Sequence, residues 1–137
     1  MAAYIDGKGM GFAKAAELNG YPGPAHVLEL AEKLALTPAQ RIRTEEIFGR
    51  MQTRARELGT RLVEEERRLD ELFASKAVSR QSLATLVSAI AAIRSDLRAT
   101  HLQAHLEQTE ILSAAQTAKY SQLRGYADAG PHLQHRH

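Results

Sequence analysis

Two histidines four residues apart, His101 and His105, are the side chains whose type and spacing most directly suggest chemistry. At i and i+4 on a helix, both imidazoles lie on one face, one turn apart. A pair so placed can chelate a first-row transition metal, supplying half of a tetrahedral site. Other donors come within reach if the helix that carries them folds back on the long helix before it. With the reversal centred near Lys76 and Ala77, facing positions sum to about 153 by antiparallel geometry. His101 then faces Gln52, and His105 faces Phe48. Glu45 and Met51 lie close by on the earlier helix, and Glu107 and Glu110 on the later one. His26 can approach the same end if the first short helix folds back. Glu65 would sit roughly 20 Å further along at the helical rise per residue, too far to join. The expected metal set is His101, His105, His26, Glu45 and Met51. The alternative is that these histidines are polar residues of an amphipathic helix. Three more histidines, His132, His135 and His137, lie in the final residues. In a flexible tail they would bind metal weakly and unselectively.

The helices that must position these groups announce their starts. In Leu36-Thr37-Pro38-Ala39-Gln40, Thr37 is a good N-cap, because its hydroxyl can accept from an orphan N–H of the first turn. Pro38 then falls at N1, where its missing N–H costs nothing. Gln40 falls at N3, from which its amide can reach back to the N-cap N–H and complete a capping box. Leu112-Ser113-Ala114-Ala115-Gln116 repeats the spacing without the proline.

Between these starts the apolar residues recur at helical intervals. A short helix is expected over 24–34, with Val27, Leu28, Leu30, Ala31 and Leu34 on one face. A long one is expected over 38–74, its seam at Phe48, Met51, Ala55, Leu58, Leu62, Leu69 and Leu72, with Glu65 as the one charged gap. It would extend about 55 Å. After a tight turn over 75–78, Ser79 is the next N-cap. A third helix follows over 80–111, with a seam of Leu83, Leu86, Ile90, Ile93, Leu97, Thr100, Ala104, Gln108 and Ile111. So short a turn forces an antiparallel hairpin. A last helix is expected over 113–123, with Tyr120 and Leu123 as its apolar contacts and Gly125 ending it. The glycine-rich stretch 1–23 reads as a flexible N-terminal arm in which Met10 to Leu18 could form a short helix, 24–126 as the helical domain, and 127–137 as a polar tail.

The fold expected is therefore all-α: a four-helix antiparallel arrangement dominated by one long hairpin. A thin hairpin has too few internal neighbours to bury both sides, so a homodimer is expected.

The paired motifs resemble the LTxxQ motifs of the Spy/CpxP family of periplasmic proteins, which includes ZraP- and CnrX-like heavy-metal resistance and sensor proteins. The first copy, Leu36 to Gln40, matches in full; the second, Leu112 to Gln116, has Ser for Thr. The resemblance spans roughly residues 22–126. It implies a hooked or cradle-shaped homodimer in the periplasm, and a non-enzymatic stress protein that binds unfolded clients, a transition metal, or both. Its CnrX-like branch implies a sensor that holds a divalent metal (Ni, Co, Cu or Zn) with His and Glu side chains and signals to a membrane antisigma factor or sensor kinase. That branch also carries a Met after its late His, whereas here Thr109 follows His105 at i+4. A third expectation is a helical interaction module without a ligand. Client contacts would fall on the recurring arginines Arg41, Arg50, Arg54 and Arg61, with Arg43 and Arg56 beside them. The resemblance also implies export, with a leader or anchor outside these 137 residues.

Composition narrows the classes. The chain has no cysteine, which removes disulfides and thiolate chemistry. Eighteen basic and sixteen acidic residues leave a net charge of +2. They interleave rather than gather into a basic face, so no nucleic-acid partner is expected. No nucleophile elbow, phosphate loop, dinucleotide fingerprint or HExxH motif occurs, and no enzymatic activity is expected.

Overall fold

A computed structural model describes residues 10–126. They are all-helical. A 3-10 turn at Met10–Ala13 leads into α1 (Lys14–Leu18), then α2 (Pro24–Glu29), α3 (Pro38–Ala74), α4 (Arg80–Ile111) and α5 (Ala114–Leu123). The long helices α3 and α4 pack against each other as the expected hairpin. None of the helices is long and apolar enough to cross a membrane, among the described residues.

Capping chemistry sets the helix starts. The Thr37 hydroxyl accepts from the Gln40 N–H at 3.0 Å, while the Gln40 amide oxygen accepts from the Thr37 N–H at 3.0 Å. Ser113 and Gln116 make the same reciprocal pair. Ser79 caps α4 in the same manner with Ser82 in the N3 role. Each box satisfies two backbone donors that a helix end would otherwise leave open.

The helix ends share a second device. At the hairpin turn, the Ala77 N–H bonds to the Leu72 carbonyl and the Lys76 N–H to that of Phe73. Lys76 adopts the left-handed conformation at φ 62°. This is a Schellman motif, which closes the last turn by a 6→1 bond around one left-handed residue. Ala35 (φ 53°) does the same after α2, with Leu36 N–H bonded to Ala31 and Ala35 N–H to Glu32. Gly125 (φ 82°) does so after α5, with Tyr126 N–H bonded to Ser121.

The chain forms two compact units. One holds Met51–His101 together with the segment that ends at Phe12; the other holds Ala13–Arg50 and the chain from Leu102 on. In the first, Ala55, Leu58 and Leu62 of α3 pack on Ile90, Ile93 and Leu97 of α4, with Phe12 and Leu69 against them. Burial of each large aliphatic side chain contributes about 1.5–3 kcal/mol. An ion pair at 2.9 Å joins Arg94 to Glu66 on the outside. Glu65, the charged gap in the seam, is half-buried and pairs with Arg68. Leu83, expected on the seam, is exposed.

In the second unit Val27, Leu34, Leu112 and Tyr120 form the core, flanked by Leu30, Leu36, Leu123 and Tyr126. Thr44 and Ile47 are also fully buried here. The seam on α3 therefore begins a turn earlier than the Phe48 that its apolar pattern suggests.

Two expectations are corrected. The helix expected over 24–34 is α-helical only to Glu29. From Leu30 it continues in tighter bonds, such as Ala31 N–H to Leu28, up to the turn at Ala35. Within the arm expected over 1–23, the short helix at Met10 to Leu18 is present as the 3-10 turn and α1, which makes five α-helices among the described residues where four were expected. Gly20, at φ 87°, there serves as a helix stop, with the Tyr21 N–H closing back on the Ala16 carbonyl. Residues 1–9 and the tail with His132, His135 and His137 lie outside the described residues.

Candidate functional site

The two capping boxes meet within the second unit. Gln40 Nε2 donates to Gln116 Oε1 at 2.8 Å, and Gln116 Nε2 donates to Gln40 Oε1 at 2.9 Å. Each amide has one more partner beyond its own N-cap: Gln40 donates to the Ile111 carbonyl and Gln116 to that of Leu34. Both oxygens thus accept twice and both nitrogens donate twice, the full capacity of a primary amide. Leu36, Thr37, Pro38, Leu112 and Ser113 frame this clasp. Below it the Gln108 amide nitrogen donates to the Thr44 hydroxyl, which donates to the Gln40 carbonyl. Gln108 is completely buried, and its amide oxygen has no hydrogen-bond partner.

A second polar cluster surrounds Glu17 of α1. The Tyr120 hydroxyl donates to Glu17 Oε1, and the Tyr126 hydroxyl donates to the same oxygen at 3.2 Å. Arg124 Nε lies 3.5 Å from it. The Arg124 guanidinium also donates to the Tyr126 hydroxyl at 3.4 Å and lies over its ring. His26 Nδ1 is 3.8 Å from Oε1, and His105 Nδ1 is 3.6 Å from Oε2. Tyr120 is 1% exposed. Burial first, then the hydrogen bond and charge of Glu17, push its phenol far above the usual range. Burial raises Tyr126 as well, and the Glu17 charge adds to it.

His105 is locked from two sides. Its Nδ1–H donates to the Tyr21 carbonyl at 2.7 Å. Gly23 lies against its ring so closely that a Cβ there would stand 2.7 Å from Cε1. Pro22, Gly23 and Pro24, all buried, carry the chain past the ring into α2. A side chain at position 23 would compete for the space of the imidazole.

The structure divides the expected metal set. His26 and His105 come together, but around Glu17 rather than around Glu45 or Met51. Glu45 is exposed on α3, and Met51 is half-buried. The His101 ring stacks on Phe12 with centroids 5.4 Å apart, and its Nδ1–H donates to the Leu97 carbonyl. Both histidines contact the N-terminal segment, His101 at Phe12 and His105 at Tyr21. No group of three or more His, Asp or Glu side chains is arranged to hold a metal among the described residues. Around Glu17 the reason is local. The imidazole nitrogen of His105 that faces the carboxylate carries the hydrogen given to Tyr21, so it is a donor and not a metal ligand.

The arginines singled out for client contact are exposed on α3. Arg50 pairs with Glu107 at 3.1 Å, and Arg54 with Glu57 at 3.5 Å.

Glu17, Arg124, Tyr126 and Gly23 carry no motif that sequence reasoning could have used. The only signal is weak: a single carboxylate after two alanines, Ala15-Ala16-Glu17, in a stretch rich in glycine. Tyr120 is legible from periodicity as a core contact, but not as a donor. No family model, curated protein or solved structure matches the chain.

Proposed function

We propose that this chain is a non-enzymatic stress protein of the Spy/CpxP type, exported to the periplasm, that holds unfolded polypeptide. The observation that carries the reading is a set of large apolar side chains left in solvent on the two long helices. Ile42 and Leu106 are 57% and 54% exposed in one unit; Phe73 and Val87 are 52% and 49% exposed in the other. α3 also carries exposed arginines and glutamates, some in ion pairs such as Arg43–Glu46 and Arg54–Glu57. Such pairs stabilise the fold little, so their charge can be redirected to a client at small cost. Exposed apolar side chains together with exposed charges can hold an unfolded client weakly through both apolar and electrostatic contacts. The clasp of Gln40 and Gln116 supports the kinship, because it gives both motif glutamines one shared structural task. A homodimer would set two such surfaces side by side.

The test is suppression of light scattering by a chemically denatured client. The chain should suppress it at near-equimolar ratio. Replacing Ile42, Phe73, Val87 and Leu106 together by Ser should abolish most of the effect while the helical circular dichroism is kept. Failure of the unaltered chain to suppress aggregation rules the reading out. Calorimetry with Ni, Co, Cu and Zn separates the sensor alternative: micromolar binding lost in His101→Ala and His105→Ala would favour it. Failure of both assays leaves a ligand-free helical module.

A further inference from the structure

We draw no further inference here: the strongest candidate, the open groove between α3 and α4 near the hairpin turn, with Leu72 and Leu86 in its lining, carries nothing because nothing in the structure shows what covers it.

Discussion

Gln40 and Gln116, 76 residues apart in sequence, hydrogen-bond each other in both directions, at 2.8 and 2.9 Å. Each also completes the capping box at the start of its own helix. Two devices that are local in sequence are thereby fused into one tertiary contact. The entries to α3 and α5 are held together by a pair of amides with no unused donor or acceptor.

That reciprocity predicts strong coupling. Gln40→Ala and Gln116→Ala should each destabilise the fold by roughly 1–3 kcal/mol, since each strands partners of a partly buried amide. In a double-mutant cycle by urea denaturation, the pair should show about 1–2 kcal/mol of interaction energy. Additive losses would mean that the two amides act only as separate caps. Gln40→Glu should be worse than Gln40→Ala, because a carboxylate cannot donate to Gln116 Oε1 or to the Ile111 carbonyl.

Gly23 and His105 predict a steric test. The methyl of Gly23→Ala would lie 2.7 Å from Cε1 and 2.8 Å from Nε2 of a ring that is pinned by the Tyr21 carbonyl. The substitution should cost about 1–3 kcal/mol, as overpacking does. Combining it with His105→Ala should cost clearly less than the sum of the two single changes. Gly49 is the control. It lies within α3 with nothing within 4 Å of a built Cβ. Gly49→Ala should stabilise the fold by up to about 1 kcal/mol.

Tyr120 predicts a pH dependence of definite sign. Its folded phenol is held well above the usual 10.0, with burial the largest cause and Glu17 the next. Below that value both folded and unfolded chains keep the proton, and the contribution to stability is fully present. Above it the unfolded chain releases the proton while the folded chain retains it. Stability should then fall by about 1.4 kcal/mol per pH unit from this residue. Urea titrations between roughly pH 9 and 11.5 should show a steeper loss in the unaltered chain than in Tyr120→Phe. Parallel curves would show that Tyr120 titrates as an ordinary exposed phenol. At neutral pH Tyr120→Phe should cost about 1–3 kcal/mol, because Glu17 loses a donor.

The left-handed residues at helix ends predict gains as well as losses. Ala35 and Lys76 hold φ values of 53° and 62° in positions that glycine occupies more easily. Ala35→Gly and Lys76→Gly should each stabilise the fold by up to about 1 kcal/mol, through relief of the steric cost of the left-handed region. Gly125→Ala, at φ 82°, should do the opposite. Thermal melts resolve both, at about 3–5 °C for each kcal/mol.

Much of the scaffold was legible because its rules are local. The starts of α3, α4 and α5 follow from hydroxyl caps whose partners lie three residues on. The hairpin follows from two long apolar seams and a turn too short for any other path. Leu58, Leu62, Ile90, Ile93 and Leu97 are buried as their spacing requires. The burial of Thr44 was not legible, because a polar residue counts against a seam until its tertiary partner, Gln108, is known. The short helix at Met10 to Leu18 was legible, but its stop was not. Gly20 is read as a loop former in sequence, and only its φ shows that it ends a helix.

The sequence by itself determined which stretches are helical, where most of them begin, and that two long helices fold back on each other. Those outcomes depend on neighbours within about four residues, where capping and periodicity act. Only the tertiary structure decided what the polar side chains do. It brought His105 to Tyr21 and Glu17, joined Gln40 to Gln116, and gathered Tyr120, Arg124 and Tyr126 around a carboxylate more than 100 residues earlier in the chain. A buried polar group must find a partner wherever packing supplies one, and no short-range pattern records which distant group that will be.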